Sequence, residues 1–220
     1  MISPILVIDI CGTLYQSNTT FDFIKFHFGT SKRYKIVDYF RNKRLFNILN
    51  HLWFRMTGVD IMRRELIKIL KGHSHEELIQ RAEVFYQKYL LNKRNLKCFE
   101  LINYYRANNA RLILVSATLD FIALKVSEKE CIPDYIATTL SYTNGVCDGK
   151  IKNDLLRGKV DMAVKETQNN NFDVLTDNYT DCDIINISSH AYLVQYANKK
   201  NKWYKYLCSE TLNKCEQLCI

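Results

Sequence analysis

The sequence lacks the features of proline-rich, low-complexity and membrane-spanning proteins. It has only two prolines and seven glycines in 220 residues, and no tract of low complexity. No apolar run approaches the roughly 20 residues that a membrane-spanning helix needs. We therefore expect a globular protein without a transmembrane segment, in one domain or in a core domain with a smaller insert.

The cysteines also lack a recognisable arrangement. None of the eight forms a C-x-x-C pair, and neither they nor the five histidines show the spacing of zinc ligands. The N-terminus lacks a basic signal-peptide region, and Asp9 interrupts its apolar stretch. We expect reduced thiols and a cytoplasmic location. For Cys215–Cys219 a redox or lipid-attachment site is an alternative, but we expect a frayed helical turn.

Basic charge is plentiful but unevenly placed. Residues 16–98 contain 17 Lys/Arg and 7 Asp/Glu, whereas the remainder is slightly acidic. Such a segment can attract an anionic substrate, a membrane surface or nucleic acid, or it can be an ordinary solvated surface. Its aromatic residues have helical spacing, so we expect mostly helical core and no nucleic-acid partner. These are Phe21, Phe23, Phe26, Phe28, Tyr34, Tyr39, Phe40, Trp53 and Phe54.

Apolar strands alternate with helical segments along the chain. The first such run ends at Asp9, another at Ser116 and a third at Asp177. This alternation predicts a parallel α/β sheet, in which ligands bind at the carboxyl ends of the strands. We therefore expect these three side chains to meet at one edge of the sheet.

The segment between the first two strands is too long for a simple crossover. Helical periodicity runs from Phe21 to about Ala107, with a break at Thr57-Gly58. We interpret residues 16–95 as a helical cap over the sheet edge, and residues 1–15 and 96–220 as the core.

The polar residues at that edge suggest phosphoryl chemistry. Asp9, Asp177 and Asp181 would repel one another unless a cation such as Mg²⁺ neutralised them. A carboxylate at a strand end can act as a nucleophile on phosphorus. Lys159 could stabilise the phosphoryl charge, and Ser116 could hydrogen-bond a phosphoryl oxygen.

The order of these motifs resembles the haloacid dehalogenase (HAD) superfamily, in its phosphoserine phosphatase-like branch (subfamily IB) with a helical C1 cap. The matching stretches are Asp9-Ile10-Cys11-Gly12-Thr13-Leu14, Leu114-Val115-Ser116-Ala117, Asn153–Val160 and Leu175–Asp181. The resemblance implies an α/β fold, a three-layer Rossmann-like parallel sheet with an inserted all-helical cap.

The resemblance also implies a site and a reaction. It implies Mg²⁺ held by the Asp9 side chain, the Cys11 carbonyl and Asp177, with Asp181 in support, and a phospho-aspartyl intermediate on Asp9. The residues expected to act in catalysis are Asp9, Cys11, Ser116 and Lys159, and those expected to bind phosphate are Gly12, Ser116, Ala117 and Lys159.

Two departures from the family pattern shape the predicted function. Cys11 stands where the family has its acid/base aspartate, and a thiol is a poor substitute. Asn18 stands where phosphoserine phosphatases carry a glutamate that reads the substrate's amino group, which argues against phosphoserine. We expect a Mg²⁺-dependent phosphomonoester hydrolase for a small phosphorylated substrate, with a strongly anionic or lipid-headgroup-like compound as one option. The alternatives are an impaired protein that binds phosphorylated ligand and a phosphotransferase.

Overall fold

The computed structural model describes residues 4–168 and 171–220. Residues 1–3, 169 and 170 of the predicted core lie outside the described residues. The strands are β1 (Ile5–Ile8), β2 (Arg111–Leu119), β3 (Asp134–Thr143), β4 (Val146–Asn153), β5 (Asp173–Thr176), β6 (His190–Gln195) and β7 (Cys215–Cys219). The helices are α1 (Thr19–Phe28), α2 (Lys32–Arg41), α3 (Arg44–Thr57), α4 (Ile61–Ile67), α5 (His75–Lys88), α6 (Leu96–Ala107), α7 (Asp120–Glu130), α8 (Lys159–Glu166), α9 (Cys182–Ile187) and α10 (Ser209–Asn213).

The strands form one sheet with β1 at its centre. The order is β4-β3-β2-β1-β5-β6-β7, and among the described strands only the β3–β4 pair is antiparallel. All four residues of β1 are buried, as expected for a parallel strand covered on both faces. The predicted α/β fold is therefore confirmed.

The neighbours of β1 bring the predicted site residues together. β1 pairs with β2 on one side and with β5 on the other. The Asp9 amide continues the second pairing by donating to the Leu175 carbonyl at 3.0 Å. The residues that follow β1 and β5 thus start from adjacent positions at the carboxyl edge of the sheet.

The segment between β1 and α6 is helical, as its periodicity predicts. The side chains of Asp60 and Ser74 cap α4 and α5 by accepting from the amides of Arg63 and Glu77. Gly58 ends α3 in the left-handed conformation. The division into a cap at residues 16–95 and a core remains a prediction.

The prediction of a frayed helical turn at Cys215–Cys219 is wrong. This segment is β7, which pairs in parallel with β6 from Ala191–Cys215 to Gln195–Cys219. The pairing provides β7 with backbone hydrogen bonds to a neighbouring strand, and these cannot be predicted from five residues of local sequence. All eight cysteines are free.

The prediction that the cap aromatics are mostly core holds for Tyr34 on α2 but is wrong for three other aromatic residues of α2 and α3. Phe23 is fully buried, but Tyr39, Phe40 and Trp53 are exposed. Periodicity identifies an apolar helix face but cannot tell which way that face points. Within the described residues, no helix is both long and apolar enough to cross a membrane.

Candidate active site

Asp9 is the residue on which the site is centred. It follows β1 directly and is 4% exposed. Its Oδ1 lies 3.0 Å from Lys159 Nζ. Oδ1 has no hydrogen-bond partner among the described residues. Its contact with Lys159 is therefore an ion pair between two buried groups.

Lys159 is held between two carboxylates. It is the first residue of α8, and its Nζ donates to Asp181 Oδ2 at 2.9 Å. The same Oδ2 accepts from the Thr176 hydroxyl at 2.7 Å. Burial alone would lower the pKa of Lys159, but the charges of Asp9 and Asp181 outweigh it and raise that pKa. Lys159 is therefore a fixed, fully charged ammonium group.

Asp177 is the second carboxylate at the strand edge. Its amide donates to the Thr13 hydroxyl at 2.9 Å, and that hydroxyl donates to its Oδ1 at 3.3 Å. These contacts fasten the loop after β5 to the loop after β1. Burial and the charge of Asp9 raise the pKa of Asp177 to about 7. Without a further cation, the negative charge of Asp9 thus makes it harder for Asp177 to ionise, and the reverse also holds.

The donor atoms at this edge fit a hard divalent cation. Asp9 Oδ1 lacks a hydrogen-bond partner, and the Cys11 carbonyl accepts no hydrogen bond from the described part of the chain. With the Asp177 carboxylate these are the oxygen donors that Mg²⁺ prefers. The described residues contain no cluster of three or more His, Cys, Asp or Glu side chains able to hold a metal. A site of two carboxylates and one carbonyl is compatible with that finding.

The Cys11 thiol points toward hydroxyl groups. Its Sγ lies 2.7 Å from Thr19 Oγ1, at the start of α1, and Thr19 in turn hydrogen-bonds Thr118. Burial raises the pKa of Cys11, and the negative charge of Asp9 raises it further. The thiol therefore stays protonated at neutral pH.

Gly12 lets the two loops approach each other. Its φ is +74°, and a Cβ added there would lie 2.3 Å from Asp177 Oδ2. Its amide donates within the loop, to the carbonyls of Tyr15 at 3.0 Å and Ser17 at 3.1 Å. Position 12 therefore requires glycine for both its backbone conformation and its contact with Asp177.

A family model of haloacid dehalogenase-like hydrolases matches residues 6–178. The chain belongs to this family. The match includes Asp9, Ser116, Lys159 and Asp177. No curated protein has a sequence that matches the chain significantly.

Solved structures show the same HAD fold. A protein of unknown function from Bordetella pertussis Tohama I is 14% identical, with a TM-score of 0.68 over 88% of this chain and 91% of that one. A substrate-bound phosphoserine phosphatase complex is 16% identical, with a TM-score of 0.63 over 100% and 93%. A phospho-aspartyl intermediate analogue of phosphoserine phosphatase is 16% identical, with a TM-score of 0.60 over 99% and 93%. The fold of this HAD chain is therefore that of the phosphoserine phosphatase-like branch.

The stretch that resembles the second HAD motif, Leu114–Ala117, lies within β2, which continues to Leu119 instead of ending at Ser116 as the sequence predicts. Ser116 is fully buried, and its hydroxyl accepts from the Thr118 amide at 3.3 Å. Burial raises the pKa of Asp9, while the Lys159 ammonium and the Ser116 hydroxyl act in the opposite direction. Ser116 thus favours the ionised form of Asp9.

Arg63 is a site-bordering residue that sequence reasoning missed. It is buried, and Nη2 donates to the Ala117 carbonyl at 2.6 Å and to the Thr138 hydroxyl at 3.0 Å. Nη1 donates to Asp154 Oδ1 at 2.5 Å. Arg63 therefore joins α4 to the second motif and to the segment before Lys159. Its sequence signal is weak, because residues 16–98 are rich in arginine throughout.

Two cavities flank the buried carboxylates of this HAD protein. One of 640 Å³ is lined by Lys159 and Asp181 together with Arg55 and Arg157. The other, of 660 Å³, has a different set of lining residues, which includes Cys11, Gly12, Asn18, Arg41 and Asp177. Both contain arginine, which suits an anionic ligand.

Proposed function

We propose that this protein is a Mg²⁺-dependent phosphomonoester hydrolase that acts through a phospho-aspartyl intermediate on Asp9. The observation that carries this proposal is the buried Asp9 carboxylate, whose Oδ1 forms an ion pair with Lys159 at 3.0 Å. Membership of the HAD family supports it. The structure of a phospho-aspartyl analogue of phosphoserine phosphatase, which shares the fold, supports it further.

In the first step, a carboxylate oxygen of Asp9 forms a bond to phosphorus while the ester P–O bond breaks and the alcohol oxygen leaves. Lys159 stabilises the negative charge on the transferring phosphoryl group, and Ser116 donates a hydrogen bond to it. Asp9, the Cys11 carbonyl and Asp177 would hold Mg²⁺, with Asp181 fixing Lys159 beside them. Bound Mg²⁺ would offset the charges of the carboxylates and the phosphate.

In the second step, water attacks phosphorus and releases Asp9 and inorganic phosphate. The water must lose a proton, and a base at position 11 would take it. The raised pKa of the Cys11 thiol leaves too little thiolate for that role. We therefore expect slow hydrolysis of the intermediate and a preference for substrates whose leaving groups need no proton.

The surroundings suggest a small, strongly anionic substrate. Arg55 and Arg157 line the cavity beside Lys159. Asn18 carries no charge with which to read an amino group, so phosphoserine is not the proposed substrate. A phosphorylated lipid headgroup fits these features.

The eight free cysteines suit a reducing compartment, so we propose a cytoplasmic location.

The Cys11 thiol also favours a second function, phosphotransfer. If water is poorly activated, an alcohol acceptor can compete for the phosphoryl group on Asp9. Faster discharge of the intermediate to added alcohol than to water would identify a phosphotransferase. Mg²⁺-dependent binding of beryllofluoride without turnover of any phosphate would instead identify a protein that only binds phosphorylated ligand.

The proposed hydrolase is tested by phosphate release from para-nitrophenyl phosphate. We expect release in MgCl₂, loss of release after treatment with EDTA, and recovery when Mg²⁺ is restored, because Asp9 and Asp177 repel each other without a cation. A panel of phosphomonoesters then ranks natural substrates. Equal release with Mg²⁺ and with excess EDTA would contradict metal dependence.

Comparing Gly12→Ala with Gly145→Ala separates the effect of backbone strain from the effect of the contact with Asp177. Gly145 has a similar φ of +78°, but a Cβ there would meet nothing within 4 Å. We expect Gly145→Ala to lose about 1 kcal/mol of unfolding free energy, and Gly12→Ala to lose more because its Cβ also collides with the Asp177 side chain. Only Gly12→Ala should lose activity, by about 100-fold, because it displaces the Asp177 carboxylate. Equal activity in the two variants, measured beside denaturation curves, would show that the contact is unimportant.

A further inference from the structure

Helix α3 presents its apolar side to solvent. None of its fourteen residues is buried. A helix in a globular protein normally turns its apolar stripe toward the core. Its exposed apolar residues are Leu45, Phe46, Ile48, Leu49, Leu52, Trp53 and Met56, with Met56 82% exposed.

The opposite side of α3 is fastened to the protein by specific contacts. The Asn50 side chain accepts from the Ile61 amide at 2.9 Å and donates to Asp60 Oδ1 at 3.0 Å, at the start of α4. Arg157 donates to the Phe54 carbonyl at 2.7 Å and lies over the Phe54 ring, 4.7 Å from its centroid. Rotating α3 to bury its apolar side would break these contacts. Its outward orientation is therefore built into the fold.

The apolar surface continues onto α2. The Phe40 and Phe46 rings are 4.6 Å apart, and Tyr39 packs edge-on against Phe40 at 5.5 Å. Ile36 is exposed beside them. We call this surface the α2–α3 face; its residues are Ile36, Tyr39, Phe40, Leu45, Phe46, Ile48, Leu49, Leu52, Trp53 and Met56.

Positive charge accompanies the α2–α3 face. Residues 32–57 contain seven Lys/Arg and one acidic residue, Asp38, which is paired with Arg41 at 2.9 Å. The basic residues are Lys32, Arg33, Lys35, Arg41, Lys43, Arg44 and Arg55. A second copy of the protein is disfavoured as the partner, because it would bring like charges together. Nucleic acid is also disfavoured, because aliphatic side chains occupy positions where basic side chains would have to contact phosphates.

We propose that the α2–α3 face docks the protein onto an anionic lipid surface, with α3 lying in the plane of the interface. Aliphatic and aromatic residues enter the acyl boundary while the exposed Lys32, Lys35, Lys43 and Arg44 meet acidic headgroups. At 14 residues α3 is about 21 Å long, too short to cross a hydrocarbon core of roughly 30 Å. Lipid docking goes beyond the proposed hydrolase and does not depend on it.

Docking would also bring the lipid close to the candidate active site. His51, Phe54 and Arg55 of α3 line the cavity that contains Lys159. The lipid-facing side and the cavity-facing side thus belong to one helix. Phosphorylated headgroups in the same surface would then reach the cavity without leaving the membrane.

Vesicle flotation of the full chain tests the docking. We expect wild-type protein to float with vesicles of phosphatidylcholine mixed with phosphatidylglycerol, far less with phosphatidylcholine alone, and less as salt rises. Leu49→Glu should weaken binding at least about tenfold, because a charge replaces a side chain that enters the acyl boundary. Met56→Glu should act in the same direction. Leu96→Glu on α6, where Leu96 is 71% exposed, is the matched control and should bind like wild type.

Three outcomes would overturn the docking. The first is that wild-type protein floats with neither vesicle. The second is that Leu49→Glu and Met56→Glu both float as well as wild type. The third is that the protein sediments as a dimer, which Leu49→Glu dissociates, and does not bind vesicles. Asp9→Asn should float like wild type. Failure of the proposed hydrolase and failure of docking are therefore distinguishable.

Discussion

Asp9→Asn is expected to reduce phosphate release from aryl phosphates by at least about 10³-fold, because the amide cannot form the phospho-aspartyl bond. The substitution nearly preserves shape. It removes the charge that raises the pKa of Asp177, and Lys159 keeps its contact with Asp181. The variant should therefore fold with at least wild-type stability. Steady-state release in MgCl₂, measured beside a denaturation curve, checks both expectations.

Asp161→Asn is the matched control for this variant. Asp161 is an exposed carboxylate on α8, the helix that carries Lys159. It should release phosphate at the wild-type rate. Asp9→Asn with wild-type activity would mean that another residue is the nucleophile, or that water attacks the ester directly.

Cys11→Asp is expected to raise phosphate release by about 100-fold or more, since it restores a general acid and base. The Thr19 hydroxyl, now 2.7 Å from the thiol, can donate to the new carboxylate. Metal binding should persist, because the proposed ligand at position 11 is the backbone carbonyl. The increase should be greatest for alkyl phosphates, whose leaving groups need a proton.

Two further variants isolate the cause of that increase. Cys11→Ser keeps the size and the contact with Thr19 but supplies no base, so its rate should stay near the wild-type value. Asp9→Asn combined with Cys11→Asp should remain inactive. An unchanged rate in Cys11→Asp would show that another group already performs the proton transfers.

The parts that the sequence predicted best are the buried strands and the polar residues that follow them. β1 and β5 are each followed directly by an aspartate, and buried parallel strands read as nearly continuous apolar runs. Asp9 and Asp177 could therefore be placed on one sheet edge from the pattern alone. The roles of the individual site residues remain proposals.

Contacts made across the fold were beyond sequence reasoning. Nothing local indicates that Arg63 reaches the Ala117 carbonyl, 54 positions away. The parallel pairing of β7 with β6 likewise depends on a neighbouring strand, and the direction of the apolar side of α3 depends on contacts made by Asn50. Each of these features is decided by tertiary partners, which local propensity and periodicity do not encode.

The most direct test of the central claim is to stop the reaction of wild-type protein and an aryl phosphate with acid, and to locate any phosphoryl group by peptide mass spectrometry. Because Cys11 should slow hydrolysis of the intermediate, we predict phosphoryl on Asp9 in the wild type and much less in Cys11→Asp. Release of phosphate with no phosphoryl group on Asp9, or with one on a different residue, would contradict the account.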